Sequence, residues 1–235
     1  MSAYGLAVRA NLKTEGLNVD NTVLLVVVFA VVVIAVVIAV QFFQKQRRTK
    51  QMRAVAASLG YEFDERGISV IDRLGEFALL SYGHTRTATS LLRTEADGAK
   101  ATIFDYSYTT GHDKNRRTHM GSALLLESER LDLPAFALRP EGLGQKLMGL
   151  AGRQDIDFED HQKFSAAYTL QGPDEEQIRA LFSTDKLDFF AQRPGLCVEG
   201  SGQKLLYYRA GKRLSPKAVA SFMEESLEVL RLLAG

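Results

Sequence analysis

The chain has 235 residues, a formal net charge of +1 and 46% hydrophobic residues. This is the composition of an ordinary globular protein, and it excludes intrinsic disorder. The near-neutral balance of charge gives no reason to expect a nucleic acid partner, and a single cysteine, Cys197, excludes an internal disulfide.

The first predicted element is a transmembrane helix at residues 22–43, TVLLVVVFAVVVIAVVIAVQFF. No polar residue occurs between Val23 and Val40, and about 20 apolar helical residues cross a hydrocarbon layer of ~30 Å. Residues 1–21 form a polar tail with balanced charges. A signal peptide has a basic segment there and a shorter apolar run, so the sequence predicts a retained anchor.

Basic residues follow the predicted span closely. They are Lys45, Arg47, Arg48, Lys50 and Arg53. Only Arg9 and Lys13 precede the span, and they lie further from it. The positive-inside rule therefore predicts a single-pass protein of the bacterial inner membrane, with the N-terminus outside and a cytoplasmic C-terminal domain. The basic flank either sets this orientation alone or also binds anionic lipid headgroups.

Residues 44–60 are predicted to continue the helix as a basic juxtamembrane stalk, ending at Gly60. Met52, Val55, Ala56 and Leu59 recur at helical spacing, so this face is expected to pack on the domain that follows.

Residues 61–235 are predicted to form one soluble α+β domain. The segment YEF indicates a short strand and DERG a turn, whereas IDRLGEFALLSYG leaves helix and strand equally open. A strand and a turn at Asp97–Gly98 follow. Residues 101–109 alternate, with Phe104, Tyr106 and Tyr108 on one face, and a polar loop at 111–117 leads to a return strand at 118–126.

The second half of the domain mixes helices with another hairpin. Pro140 is a suitable first residue for a helix carrying Leu143, Leu147 and Leu150. KFSAAYTLQG predicts a strand, PDEEQIRALFS and STDKLDFFAQ predict helices, LCVEGSGQKLLYYRAG predicts a hairpin, and residues 215–235 predict a helix. The predicted fold is a transmembrane helix followed by a mostly antiparallel sheet, with two β-hairpins and packed amphipathic helices.

The loop GHDKNRRTH offers a basic hairpin tip. Lys114, Arg116 and Arg117 are candidates for binding lipid phosphates or an acidic partner. His112 and His119 fall short of the three or four ligands of a zinc site, so a solvated tip is the plainer interpretation. Asp105 lies inside a predicted strand; if its face is buried, the carboxylate needs a partner such as an arginine.

Other chemical signals are weak. The acids of DIDFEDH lack the layout of a calcium loop, and alternation suggests that Ile156 and Phe158 anchor this loop while its acids face water. Cys197 lies in a predicted strand, where a free cysteine acts as a small buried hydrophobe. Because no phosphate loop, GxSxG or HExxH motif occurs, no catalytic residue, metal or cofactor is assigned.

The segments FDYSYTTG, LPAFALRPE, DIDFEDHQKFSAAYTLQG and CVEGSGQKLLYYR together resemble an uncharacterised family of bacterial single-pass membrane-anchored proteins. The likeness extends from about Gly60 to the C-terminus. Its motifs look structural: hairpin strands, a proline and a loop anchored by aromatic residues. The resemblance implies a bacterial protein with one membrane span, and it adds no activity.

The sequence thus favours a membrane-anchored cytoplasmic interaction or regulatory module. Its expected partners are the lipid bilayer, anionic headgroups and an unidentified membrane protein. Two alternatives remain open. A hydrolase-like enzyme at the membrane surface would use His112, His119 or the Asp155–His161 region, and requires these groups to converge in one pocket. A scaffold subunit of a membrane complex would expose large apolar patches.

Overall fold

The computed structural model describes residues 21–67, 74–81, 83–142 and 155–235. The predicted tail up to residue 20 and the helix expected on Leu143, Leu147 and Leu150 lie outside these ranges. Two compact units are present, one ending at Arg47 and the other running from Arg48 to Gly235.

The first element is one long helix, α1 (Asn21–Leu59), which includes both the predicted span and the basic segment after it. Residues 21–47 are exposed throughout. The helix is long and apolar enough, by length and composition, to cross a membrane. An uninterrupted apolar surface of this size is favourable in lipid and unfavourable in water, and the helix pairs its own backbone groups as lipid requires.

The last turns of α1 belong to the core of the second unit. Met52 and Ala56 are fully buried, as their helical spacing predicts, whereas Leu59 is exposed. Gly60 ends the helix with φ of +72°, a left-handed conformation that glycine adopts without strain. The Tyr61 amide then donates to the Ala56 carbonyl at 2.8 Å and satisfies one terminal acceptor.

Eight strands form one antiparallel sheet. They are β1 (Glu62–Arg66), β2 (His84–Ala96), β3 (Ala99–Thr110), β4 (Arg117–Glu127), β5 (Leu133–Pro140), β6 (Tyr168–Gln171), β7 (Cys197–Gly202) and β8 (Lys204–Tyr208). Their order is β1-β2-β3-β4-β8-β7-β5-β6. The predicted turn at Asp97 and Gly98 is confirmed, with φ of 52° and 69°, the positive pair that a tight hairpin turn needs.

Helices cover the sheet unequally. Besides α1 they are α2 (Ala78–Ser81), α3 (Gln162–Ala167), α4 (Glu175–Leu181), α5 (Thr184–Ala191) and α6 (Val219–Ala234). The end of α1 and helices α3 to α6 share one core cluster with side chains such as Ile103 and Leu124. On the other face, Phe104, Tyr106 and Tyr108 form a second cluster with Leu74 and residues near α2. The predicted α+β class is confirmed.

Three local predictions are wrong. Pro140 ends strand β5 opposite Tyr168 instead of starting a helix, because a strand end tolerates a residue that has no N–H to donate. Residues 162–167 are helical and the strand begins only at Tyr168, since QKFSAA is rich in good helix formers. The turn expected in DERG is the second half of β1, which pairs with β2 as far as Arg66.

Candidate functional site

The five basic residues that follow the apolar part of α1 differ in exposure and in whether they form an ion pair. Lys45, Arg47 and Lys50 are exposed. Arg53 pairs with Glu65 at 3.2 Å, and both side chains are about 60% exposed, with the guanidinium also lying 5.2 Å from the centre of the Phe63 ring. Arg48 differs, because only 14% of its side chain is exposed and it is bound within the domain.

Arg48 forms a two-pronged ion pair with Asp105 of β3. Its Nε donates to one carboxylate oxygen at 2.9 Å and its Nη2 to the other at 2.8 Å. Its Nη1 donates to the Leu214 carbonyl at 2.6 Å. The Ser122 hydroxyl donates to Asp105 and accepts from the Leu214 amide. The guanidinium fork matches the carboxylate, so the strand carboxylate has the arginine partner that its burial requires.

This Asp105 cluster, defined here as Arg48, Asp105, Ser122, Arg213 and Leu214, joins three distant parts of the chain. Arg213 is its outermost member, with a guanidinium nitrogen 3.8 Å from the carboxylate and 44% of its side chain exposed. Asp105 itself is only 2% exposed. A buried carboxylate bound by a helix, a neighbouring strand and a loop fixes the first turn of the domain to its sheet.

The hairpin tip presents the three predicted cations to solvent. Lys114, Arg116 and Arg117 are exposed, around a short 3-10 turn at Asp113–Asn115. The two histidines do not face each other: the His112 ring lies 5.2 Å from that of His84. His119 instead stacks on Tyr108 at 4.9 Å and hydrogen bonds with Thr110.

The acids of residues 155–160 line a groove of about 530 Å³ beside α4 and α5. Ile156 is buried and Phe158 partly buried, so the prediction that they anchor this loop is confirmed. Burial raises the pKa of Asp155, against the opposing hydrogen bond from the Leu170 amide. Arg179 pairs with Glu175 at 2.7 Å at the edge of this groove.

The histidines of the tip and the acidic groove are far apart. His112 and His119 lie on the β3–β4 hairpin, whereas Asp155 of the groove bridges to Gln171 at the end of β6. Four strand-to-strand steps separate β4 from β6, or roughly 19 Å at the usual spacing. The convergence that the hydrolase hypothesis required does not occur between these groups. Among the residues that the structure describes, no three His, Cys, Asp or Glu side chains are arranged to hold a metal ion.

A second buried ion pair lies on the opposite sheet face. Glu199 of β7 accepts from Arg139 Nη2 and from the Tyr208 hydroxyl, both at 2.8 Å. Its other oxygen accepts from the Ala78 amide at 2.6 Å. Burial lowers the pKa of Arg139 while Tyr208 and Glu199 raise it, and the net direction is upward, so the guanidinium stays charged. This Glu199 cluster, defined by Ala78, Arg139, Glu199 and Tyr208, ties α2 to the three strands β5, β7 and β8.

Sequence reasoning missed the Glu199 cluster, although a signal for it exists. Glu199 follows Cys197 and Val198 in a strand that is apolar at this point. The same anomaly, a carboxylate within a buried strand, drew attention to Asp105.

Cys197 is fully buried, as predicted for a small hydrophobe. Desolvation raises the pKa of its thiol to about 12, so the reactive thiolate is scarce at neutral pH. We expect a maleimide reagent to label Cys197 at least about 100-fold more slowly in the native chain than in denaturant. Mass spectrometry over time measures the ratio, and labelling at similar rates in both states would contradict the buried placement.

These features define a class: an α+β domain preceded by one helix that is long and apolar enough to cross a membrane. No family model and no curated protein matches the chain. A matching solved structure is the crystal structure of the mycobacterial trehalose monomycolate transport factor A, TtfA. The two share 11% identity with a TM-score of 0.55, over 79% of this chain and 92% of that chain. The likeness shows a common fold.

Proposed function

We propose that the chain is a single-pass protein of the bacterial inner membrane. Its domain, residues 48–235, lies in the cytoplasm and binds a membrane protein as a non-catalytic interaction module. The distribution of exposed apolar side chains carries this proposal. Among the described residues, those that are large, apolar and exposed lie between Val23 and Phe43, apart from Leu59 and Met120.

That distribution separates the candidate functions. A helix with an unbroken apolar surface favours lipid around it. The described surface of the domain offers two isolated apolar residues, 37% and 47% exposed. A scaffold subunit held in a permanent complex buries a larger, more apolar surface. Polar, reversible association is therefore favoured over a scaffold role.

The charges of the chain supply the orientation and a contact surface. Lys45, Arg47 and Lys50 stay exposed beside the apolar segment, which supports a cytoplasmic domain by the positive-inside rule. The exposed cations of the hairpin tip, Lys114, Arg116 and Arg117, are the proposed contact with an acidic partner or with lipid phosphates. Such a contact weakens as salt screens it.

The name of the structural neighbour agrees with an accessory role. TtfA is called a transport factor. By this analogy of fold, the partner of the present chain is a component of a membrane transport assembly.

The anchor is tested by placing charge at its centre. Val32→Asp with Val36→Asp puts two carboxylates at positions that are 54% and 55% exposed. Each acid opposes insertion by about 2.5–3.5 kcal/mol, so most of the chain should move from the alkali-resistant membrane pellet to the soluble fraction. Immunoblotting of the two fractions measures the shift.

Val32→Leu with Val36→Leu is the matched control and should stay in the pellet. Orientation is read separately from a C-terminal epitope on the unaltered chain. The epitope should resist protease in intact spheroplasts and be digested after lysis. A soluble unaltered chain, or an epitope digested before lysis, would overturn the proposed anchoring or its direction.

A further inference from the structure

A cavity of about 230 Å³ opens between the loop after β8 and the first turns of α6. Its lining combines cations, hydroxyls and apolar groups. The cations are Arg209, Lys212 and Arg213, the hydroxyls are Ser122, Ser215 and Ser221, and Glu225, Leu214, Ala218 and Phe222 complete it. Neither the hairpin tip nor the basic flank of α1 contributes a residue.

The charge around this cavity is not balanced. Glu225 is already engaged, since it accepts from Arg209 and from the Tyr207 hydroxyl, each at 2.9 Å. Asp105 is held by both prongs of Arg48, and Arg213 reaches it only at 3.8 Å. Lys212 forms no ion pair within the described part of the chain. Arg48 and Asp105 balance each other beside the cavity. The three lining cations and the one lining carboxylate therefore leave an excess of two positive charges.

This excess has the chemistry of a phosphate site. An arginine fork and a lysine ammonium donate charge-assisted hydrogen bonds to phosphate oxygens, and serine hydroxyls add neutral donors. Leu214, Ala218 and Phe222 give the same cavity an apolar side. A free phosphate ion has no apolar surface to bury against these side chains. The glycerol and first acyl carbons of a phospholipid do, and burying them is favourable.

Chain length keeps the cavity near lipid, given the proposed function on which this step rests. The loop is tied to Arg48 through the 2.6 Å hydrogen bond to the Leu214 carbonyl. Arg48 follows Phe43, the last residue of the predicted span, by five positions. Five residues reach at most about 18 Å even when fully extended. Arg48 therefore stays within that distance of the headgroup layer.

We propose that this cavity binds a phosphate-class anion between Lys212 and Arg213, and that the phosphate belongs to the headgroup of an anionic phospholipid. A phosphodiester headgroup carries one negative charge, so binding one lipid would offset one of the two excess positive charges beside the Asp105 cluster. Occupancy of the cavity then depends on how much anionic phospholipid surrounds the transmembrane segment.

The full chain, purified in a zwitterionic detergent, is titrated with three probes. They are dihexanoyl phosphatidylglycerol, dihexanoyl phosphatidylcholine and inorganic phosphate. Lys212→Gln with Arg213→Gln should weaken phosphatidylglycerol binding by about tenfold or more, the loss expected for two charge-assisted contacts. The matched control, Lys100→Gln with Arg130→Gln, removes the same charge from two exposed residues that do not line the cavity, and it should change binding less than about twofold.

Each outcome decides the assignment. Saturable phosphatidylglycerol binding that is lost only in the Lys212 and Arg213 variant supports the site. Equal losses in both variants, or no binding, overturn it in favour of a diffuse surface charge. Inorganic phosphate that binds as tightly and displaces the lipid overturns the headgroup assignment.

Folding and anchoring are controlled independently. Both replaced residues are exposed, so the melting temperature of the variant should match that of the unaltered chain, and circular dichroism checks this. The variant should also remain in the membrane pellet, because residues 22–43 are unchanged. If the unaltered chain binds phosphatidylglycerol yet fractionates as soluble, the proposed function fails while the anion site stands.

Discussion

Replacing Glu199 with alanine should lower the free energy of unfolding of the domain by about 3–5 kcal/mol, the range for breaking a buried ion pair from one side. Glu199 is 2% exposed, and its partner Arg139 is 4% exposed in its side chain. The substitution leaves that guanidinium charged in the core. It also removes the acceptor for the Tyr208 hydroxyl and the Ala78 amide. Urea unfolding followed by near-ultraviolet circular dichroism of the tyrosines measures the loss.

Glu175→Ala is the matched control for that experiment. Glu175 also pairs with an arginine, Arg179, at 2.7 Å, but the side chains are 55% and 42% exposed. Its removal should change stability by no more than about 0.5 kcal/mol. Both variants remove a glutamate that is paired with an arginine. A difference in stability between them therefore comes from the burial of the Glu199 pair and not from pairing alone.

A second pair of variants tests whether the unpaired charge of Arg139 causes the loss of stability. Glu199→Gln keeps the size and one acceptor but leaves Arg139 without a counter-charge, so it should also destabilise strongly. Adding Arg139→Met to Glu199→Gln removes the orphaned charge and should recover part of the loss. A double variant less stable than Glu199→Gln, or an alanine variant as mild as Glu175→Ala, would contradict this account of the Glu199 cluster.

The two buried ion pairs show what sequence reasoning can reach. A carboxylate inside an apolar strand predicts that Asp105 needs a partner, because burying it unpaired is unfavourable. The sequence does not predict which cation serves. Arg48 lies 57 positions away and carries the same positive charge as the residues around it. Its role follows from the packing of Met52 and Ala56 against the sheet, which places one arginine of the flank over β3.

Local signals fail for a related reason near Pro140 and in residues 162–167. Proline suits both a first helical turn and a strand end, so its own geometry cannot choose between them. The choice is made by β6 and β7, which pair with β5 on either side. The cavity beside Lys212 is also invisible in the sequence, because its residues come from β4, a loop and α6.

Arg48→Ala should lower the free energy of unfolding by about 3 kcal/mol, toward the lower end for a buried ion pair because the arginine is partly exposed. Asp105 would keep the Ser122 hydroxyl and the distant Arg213, which do not replace a two-pronged guanidinium at 2.8 and 2.9 Å. Arg48→Lys restores charge without the fork, so it should recover only part of the loss. Urea unfolding of the full chain in detergent measures both variants.

Arg53→Ala is the matched control, because Arg53 lies on the same helix and forms a solvent-exposed ion pair with Glu65. Its removal should change stability by less than about 1 kcal/mol. Hydrogen exchange then locates the effect of Arg48→Ala. The Leu214 amide donates to Ser122, and the Leu214 carbonyl accepts from Arg48. Loss of Arg48 should therefore speed amide exchange at Leu214 and leave the distant β5–β6 pair protected. Equal effects of the two arginine variants, or unchanged exchange at Leu214, would show that the Asp105 cluster does not hold the first turn of the domain to its sheet.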